Sequence, residues 1–207
     1  MGKQKNRRRR KDNEEVSTDA RLQRTLTRAG LKIGYVEPDG NCLFRAFARQ
    51  VSGNEENYHE FRLSCCNYIQ EQAEFFQSFL EDMNVTDYVI EMMKDGTWGT
   101  QIEIVALCRH YETDCVIFRQ DGLHYRVECA IHLDELKPIV MLSHHDDEHF
   151  NGVCFKEKGR TLNSFEELEL LLAEEDIPTG LSKKESRKTK RHPTAPVVSA
   201  PERVLDV

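Results

Sequence analysis

A thiol, an imidazole and two groups able to orient that imidazole stand out in the 207 residues. Asp39-Gly40-Asn41-Cys42-Leu43-Phe44-Arg45-Ala46 sets a cysteine just after a glycine-containing turn, where Leu43, Phe44, Phe47 and Val51 begin a helical spacing. In the first turn of a helix a cysteine faces unpaired N–H groups and the positive end of the helix dipole, which predicts a lowered thiol pKa. The N–H groups of Gly40, Asn41 and Cys42 can also hold the oxyanion of an acyl-transfer intermediate, and Gly40 permits close backbone approach. Such a nucleophile needs an imidazole to move protons, and the imidazole needs an acceptor to fix it. His149, in Asp147-Glu148-His149-Phe150-Asn151-Gly152-Val153, opens a late strand more than a hundred residues away. Asn151 lies two residues on and points to the same side of a regular strand, so its carbonyl can fix the ring; Asp39 competes for that role.

These two blocks, with Trp98-Gly99-Thr100-Gln101-Ile102-Glu103-Ile104-Val105-Ala106-Leu107 between them, resemble the ovarian-tumour (OTU) family of cysteine deubiquitinases over roughly residues 31–155. The resemblance implies a papain-like α+β domain that hydrolyses the isopeptide bond between the ubiquitin C-terminus and a lysine, without a cofactor. It implies Cys42 as nucleophile, His149 as general base and acid, Asp39 as the acidic active-site member and Asn151 at the family's His-orienting position. Ubiquitin and ubiquitinated proteins are the implied partners, with the enzyme a monomer. Whether Asp39 or Asn151 orients the ring stays open at this level. Rival readings are a ubiquitin-binding module with an inactive site, a peptidase for another ubiquitin-like modifier, and an RNA- or ribosome-associated protein working through basic arms.

Other reactive side chains have simpler expectations. Cys65 and Cys66 read as core residues, and Cys108, Cys115, Cys129 and Cys154 as packing residues within a helix and strands. His144, His145, Asp146, Asp147 and His149 cluster in sequence, but there is no Cys-x-x-Cys pair and no metal site is expected. Trp98, flanked by glycine in a polar loop, is expected to contact the substrate, and Phe150 either to line the same channel or to pack.

The elements that must position these groups follow from periodicity and punctuation. Ser17 caps a helix through Leu22 and Leu26 that stops at Gly30, and residues 31–36 read as a short strand. Tyr58, Phe61, Cys65, Ile69, Ala73, Phe76 and Leu80 make one continuous apolar stripe and predict one long helix. Helices near 85–93 and 101–110 follow. Short strands are then expected at 115–118, 123–127, 139–143 and 153–155, punctuated by Asp121-Gly122 and Asn151-Gly152. Helices first and strands later predict an α+β domain around a small mixed sheet. Residues 20–158 form the protease domain, 163–176 an acidic amphipathic helix opened by a Ser164/Glu167 capping box, and 1–16 and 177–207 polar basic arms expected to be disordered.

Charge is strongly segregated. Residues 1–11 hold seven Lys or Arg and residues 183–192 hold six, while residues 12–182 carry 15 basic and 33 acidic groups. An acidic body repels phosphate, so nucleic acid is expected only at the arms. No apolar run approaches the roughly 20 residues of a membrane span. No apolar stretch follows the basic N-terminus, so a reducing cytoplasmic or nuclear setting with free thiols is the expectation.

Overall fold

Cys115-Val116-Ile117-Phe118 is apolar at every position, which suits a strand covered on both faces. The computed structural model describes residues 20–129, 138–146 and 148–173, all within one compact unit. There, Cys115 and Ile117 point into one core and Val116 and Phe118 into another. This strand, β2 (Cys115–Arg119), lies in a five-stranded mixed sheet with β1 (Leu31–Gly34), β3 (His124–Val127), β4 (Val140–His145) and β5 (His149–Phe155). The strand order is β1-β5-β4-β2-β3, with β2 and β4 parallel and every other pair antiparallel. The expected α+β class and small mixed sheet are what the structure shows.

Helices cover both faces. On one side a helix over residues 20–28 (α1), through Leu22 and Leu26, joins the late helix in sealing Val116, Phe118, Met141, Val153 and Phe155. On the other side lie α2 (Cys42–Ser52), α3 (Tyr58–Glu71), α4 (Ala73–Gln77), α5 (Val85–Met92) and α6 (Gln101–Tyr111). Phe44, Phe47, Phe61, Phe76, Ile104 and Leu107 fill that larger core. The late helix, α7, spans Phe165–Ala173. Among the described residues no helix is long and apolar enough to cross a membrane. The arm 1–16, the capping Ser17, Asp147, the last residues of the acidic helix (174–176) and the tail 177–207 lie outside the described residues.

Three sequence expectations need correction. The long helix through Leu80 breaks at Gln72, whose φ of -103° and ψ of 34° leave the helical basin. The break lets Phe76 stay buried with its ring edge-on to Tyr68, at 6.2 Å between centroids, while Arg109 covers Phe75. Packing thus overrides a continuous stripe. Asn151-Gly152 is no turn but the middle of β5, pairing with Ser143 and Leu142. The reversal sits earlier, where Asp146 adopts φ 54° and the Glu148 N–H donates to the His145 carbonyl at 3.0 Å. At α7 the Ser164 hydroxyl oxygen accepts from the Glu167 N–H at 3.1 Å, but the Glu167 carboxylate reaches the Asn163 N–H, so the box is only half formed.

One contact invisible in the sequence fixes α2 against the sheet. The β4–β5 pairing stops at Leu142↔Gly152, and beyond it Gln50 takes over the strand's polar groups. Its amide accepts from the Met141 N–H at 2.9 Å and donates to the Met141 carbonyl at 2.7 Å. With α2 pinned near its C-terminal end, its N-terminus is held over the start of β5.

Candidate active site

Cys42 is the first residue of α2, with Asn41 as its N-cap. Its sulfur accepts from the Phe150 N–H at 3.4 Å across a separation of 108 residues. His149 is the neighbouring residue on β5, so the fold sets the strand position of the expected base beside the expected nucleophile. The side-chain oxygen of Asn151 accepts from the Val36 N–H at 3.0 Å, and a backbone N–H can only donate, which identifies that atom as oxygen. His149 Nε2 lies 3.1 Å from the same oxygen and therefore carries the proton, which leaves Nδ1 as the basic nitrogen. Asn151 is 2% exposed, so this contact is sheltered from water.

Asp39 is engaged elsewhere. One oxygen accepts from the Asn41 N–H at 2.9 Å and the other from both ends of the Arg45 fork, at 3.0 and 2.8 Å. Burial opposes ionisation, but the hydrogen bonds from Arg45 and Asn41 outweigh it and hold Asp39 down at about 2. The sign follows: a depressed carboxylate stabilises the fold fully above its ordinary value near 4 and loses that contribution as pH falls towards about 2. The Asn41 N–H is thereby spent on Asp39, and the expected trio of oxyanion donors reduces to Gly40 and Cys42.

The sulfur departs from its expected state. Cys42 is 5% exposed, and burial pushes its thiol above the ordinary value, with the Asp39 charge adding to the rise. The N–H groups of Phe150, Leu43 and Cys42 itself pull the other way without cancelling it. A helix terminus favours a thiolate only as far as desolvation allows. The balance therefore favours the thiol over the thiolate in the free protein, with deprotonation left to the attack step. Alkylation of Cys42 by iodoacetamide should accordingly rise about tenfold per pH unit from pH 6 to 8. A plateau below pH 7 in that profile would show a resting ion pair and contradict this reading.

Glycine brings a second loop against the nucleophile's turn. Gly40 has φ +80°, and a Cβ placed there would lie 2.0 Å from the Gly96 carbonyl oxygen; one on Gly99 would meet Leu43 at 2.5 Å. Trp98 thus sits in a loop pressed onto the turn that carries Cys42, and its side chain is 52% exposed. Gly40→Ala adds a backbone clash to a strain of about 1–3 kcal/mol. It should lower the melting temperature and reduce turnover at least ~100-fold. Gly53→Ala is the control: it shares the positive φ but has nothing within 4 Å, so it should melt lower with its activity intact.

Phe150 packs rather than lining an open channel. It is 4% exposed, its ring stacks on His144 at 4.3 Å, and only its backbone reaches the sulfur. The other six cysteines form no disulfide, and all but Cys154 are buried. Among the described residues no group of three or more His, Cys, Asp or Glu could hold a metal ion.

Three contributors escaped the sequence reading. Arg62, 3% exposed, bonds to the Cys42 turn and to the Trp98 loop. Its signal was a charge beside the apolar stripe of α3. The Asn41 side chain accepts from the Gly96 N–H at 3.1 Å. Glu103, fully buried, closes a capping box with Thr100 and accepts from the Tyr88 hydroxyl at 2.6 Å, fixing the far end of the Trp98 loop. Burial raises its carboxyl above the usual range, against the Tyr88 and Thr100 hydrogen bonds.

Known proteins share this fold and this stretch of sequence. The model of the family described as OTU-like cysteine protease matches residues 37–150. OVARIAN TUMOR DOMAIN-containing deubiquitinating enzyme 7 of Arabidopsis thaliana is 36% identical over 133 residues, covering 64% of this chain and 35% of that protein. Human OTU domain-containing protein 4 is 35% identical over 98 residues, covering 47% and 9%. The chain thus spans about a third or less of the length of these relatives. Among solved structures, the OTUD1 OTU domain matches with a TM-score of 0.61 and 22% identity, covering 70% of this chain and 99% of that one. An ovarian tumor (OTU) domain in complex with ubiquitin matches with a TM-score of 0.57 and 18% identity, covering 69% and 81%.

Proposed function

This chain belongs to the OTU-like cysteine protease family, and we propose that it is a deubiquitinase cleaving the isopeptide bond between the ubiquitin C-terminus and a lysine. The observation that carries the proposal is the seating of Cys42 against the start of β5, with the neighbouring His149 ring fixed on Asn151. A solved relative by fold holds ubiquitin, and a curated relative is named a deubiquitinating enzyme; both support ubiquitin as the partner.

The reaction proceeds as acyl transfer. His149 Nδ1 takes the thiol proton as the Cys42 sulfur attacks the carbonyl carbon of the terminal ubiquitin glycine. The negative oxygen that forms is held by the Gly40 and Cys42 N–H groups. As the carbon–nitrogen bond breaks, the imidazolium gives its proton to the departing lysine amine and leaves a thioester on Cys42. Water, deprotonated by His149, then attacks the thioester and releases ubiquitin and the thiol. Asn151 holds the ring in the tautomer that this cycle requires. Asp39 works on the turn, through Asn41 and Arg45. Trp98, exposed in the loop pressed against this turn, contacts the ubiquitin tail.

A panel of diubiquitins of every linkage tests the assignment. Cleavage of at least one linkage is expected from the purified protein. No cleavage of any linkage, together with no hydrolysis of a C-terminal ubiquitin amide, would overturn it.

A further inference from the structure

Arg62 is the only described residue whose side chain bonds at once to the turn before Cys42, to the Trp98 loop and to the end of α5. Its Nη2 donates to the Asn41 side-chain oxygen at 2.6 Å, the Thr97 carbonyl at 2.8 Å and the Gly40 carbonyl at 3.2 Å. Three acceptors around a nitrogen with two hydrogens must share them. Its Nη1 donates to the Met92 carbonyl at 2.8 Å and lies 3.5 Å from the Met92 sulfur, while the guanidinium carbon sits 4.1 Å over the Phe44 ring. Among the described residues no carboxylate touches this buried cation, a costly arrangement, and several fixed dipoles replace water around its two terminal nitrogens while Nε finds no partner. The acceptors belong to three separate segments, so the guanidinium fixes their relative positions. The Gly40 carbonyl and the Asn41 side chain flank the peptide units whose N–H groups face the reacting oxygen.

We propose that Arg62 is a positioning residue that locks the oxyanion-binding turn to the Trp98 loop, so that the Gly40 and Cys42 N–H groups are aimed only while the substrate-tail wall is in place. The inference rests on the deubiquitinase reading and deepens it. It separates two tasks within one site. The sulfur, the base and its orienter stand on the first turn of α2 and on β5, and none of those three side chains bonds to Arg62. Stabilisation of the developing oxyanion depends on it.

Arg62→Lys is the test, because it keeps the charge but replaces a planar fork with one ammonium that cannot span Met92 on one side and Asn41 and Thr97 on the other. Three quantities are compared with the wild type: turnover of a ubiquitin amide, affinity for ubiquitin itself, and affinity for ubiquitin aldehyde. Cys42 adds to the aldehyde carbonyl, forming a carbon–sulfur bond while the thiol proton passes by way of His149 to the new oxygen, which occupies the oxyanion position. With a cooperative melt retained, turnover and aldehyde affinity should each fall about 30-fold or more while ubiquitin affinity stays within about threefold. Unchanged turnover and aldehyde affinity would overturn the proposal, and so would equal losses for ubiquitin and its aldehyde, the mark of a simple structural brace. Should Arg62→Lys lose its cooperative melt, Asn41→Ala, which removes the acceptor shared by Arg62 and Gly96, should show the same selectivity at about tenfold. Full turnover in Asn41→Ala would overturn the proposal. A wild-type protein that binds neither ubiquitin form and cleaves no amide would instead end the deubiquitinase reading.

Discussion

Replacing Cys42 by alanine should reduce diubiquitin cleavage at least about 10⁴-fold while the protein melts close to the wild-type temperature. The chemical loss is large because nothing else in the site can form the acyl intermediate, and a triad without its nucleophile retains only binding and oxyanion stabilisation. The structural loss is small for a different reason from the one that exposure would give. Cys42 is buried with the core, at 5% exposed. Removing one sulfur leaves a void of about a single heavy atom, worth roughly 1 kcal/mol. The Phe150 N–H loses only a weak acceptor. Cleavage assays alongside thermal melts check both halves, and a variant retaining more than about 1% of wild-type activity would remove Cys42 from the nucleophile's role.

Asn151→Ala should come next in size, because one oxygen serves two donors. Without it the His149 ring loses the partner that fixes its tautomer, a loss of about 10²- to 10⁴-fold in kcat/KM. The Val36 N–H is left buried and unpaired, at about 1–3 kcal/mol of stability. Asn151→Asp keeps an acceptor for both donors and should stay within about tenfold of wild type. Its activity profile should shift to higher pH, since a neighbouring carboxylate favours the imidazolium. Asp39→Asn offers the contrast. It keeps an oxygen for the Asn41 N–H but weakens the Arg45 pair, so a loss of about tenfold is expected; the lost charge eases ionisation of the thiol, while the acidic limb of the pH profile should stay in place. If Asp39→Asn shifted that limb and Asn151→Asp did not, the two residues would exchange roles.

The contrast between Asn151 and Asp39 shows where the sequence is informative. That Cys42 opens a helix and His149 opens a strand could be read from a turn, an apolar spacing and an alternation, all local patterns. The two-sided burial of β2 and the loop character of residues 96–99 were legible in the same way. Their meeting depends on α2 lying across the sheet, which rests on Gln50 bonding to Met141, residues 91 positions apart. No local pattern encodes that contact. The same holds for Arg62, which reads as an ordinary charged position until its acceptors from three segments are assembled. Asn151-Gly152 misled in the opposite direction: a dipeptide favoured in turns occupies mid-strand because the asparagine is needed at His149 and Val36. At Cys42 a helix start that favours a thiolate is visible in sequence, whereas the burial that pushes the thiol the other way is set by the fold.

Reacting the protein with ubiquitin bearing an electrophile at its C-terminus, then mapping the adduct by mass spectrometry, tests the central claim most directly. One ubiquitin should attach, at Cys42 alone among the seven cysteines, and attachment should slow severely in His149→Ala while the melt is preserved. Labelling at another cysteine, or equal labelling of Cys42 with His149 removed, would contradict the account.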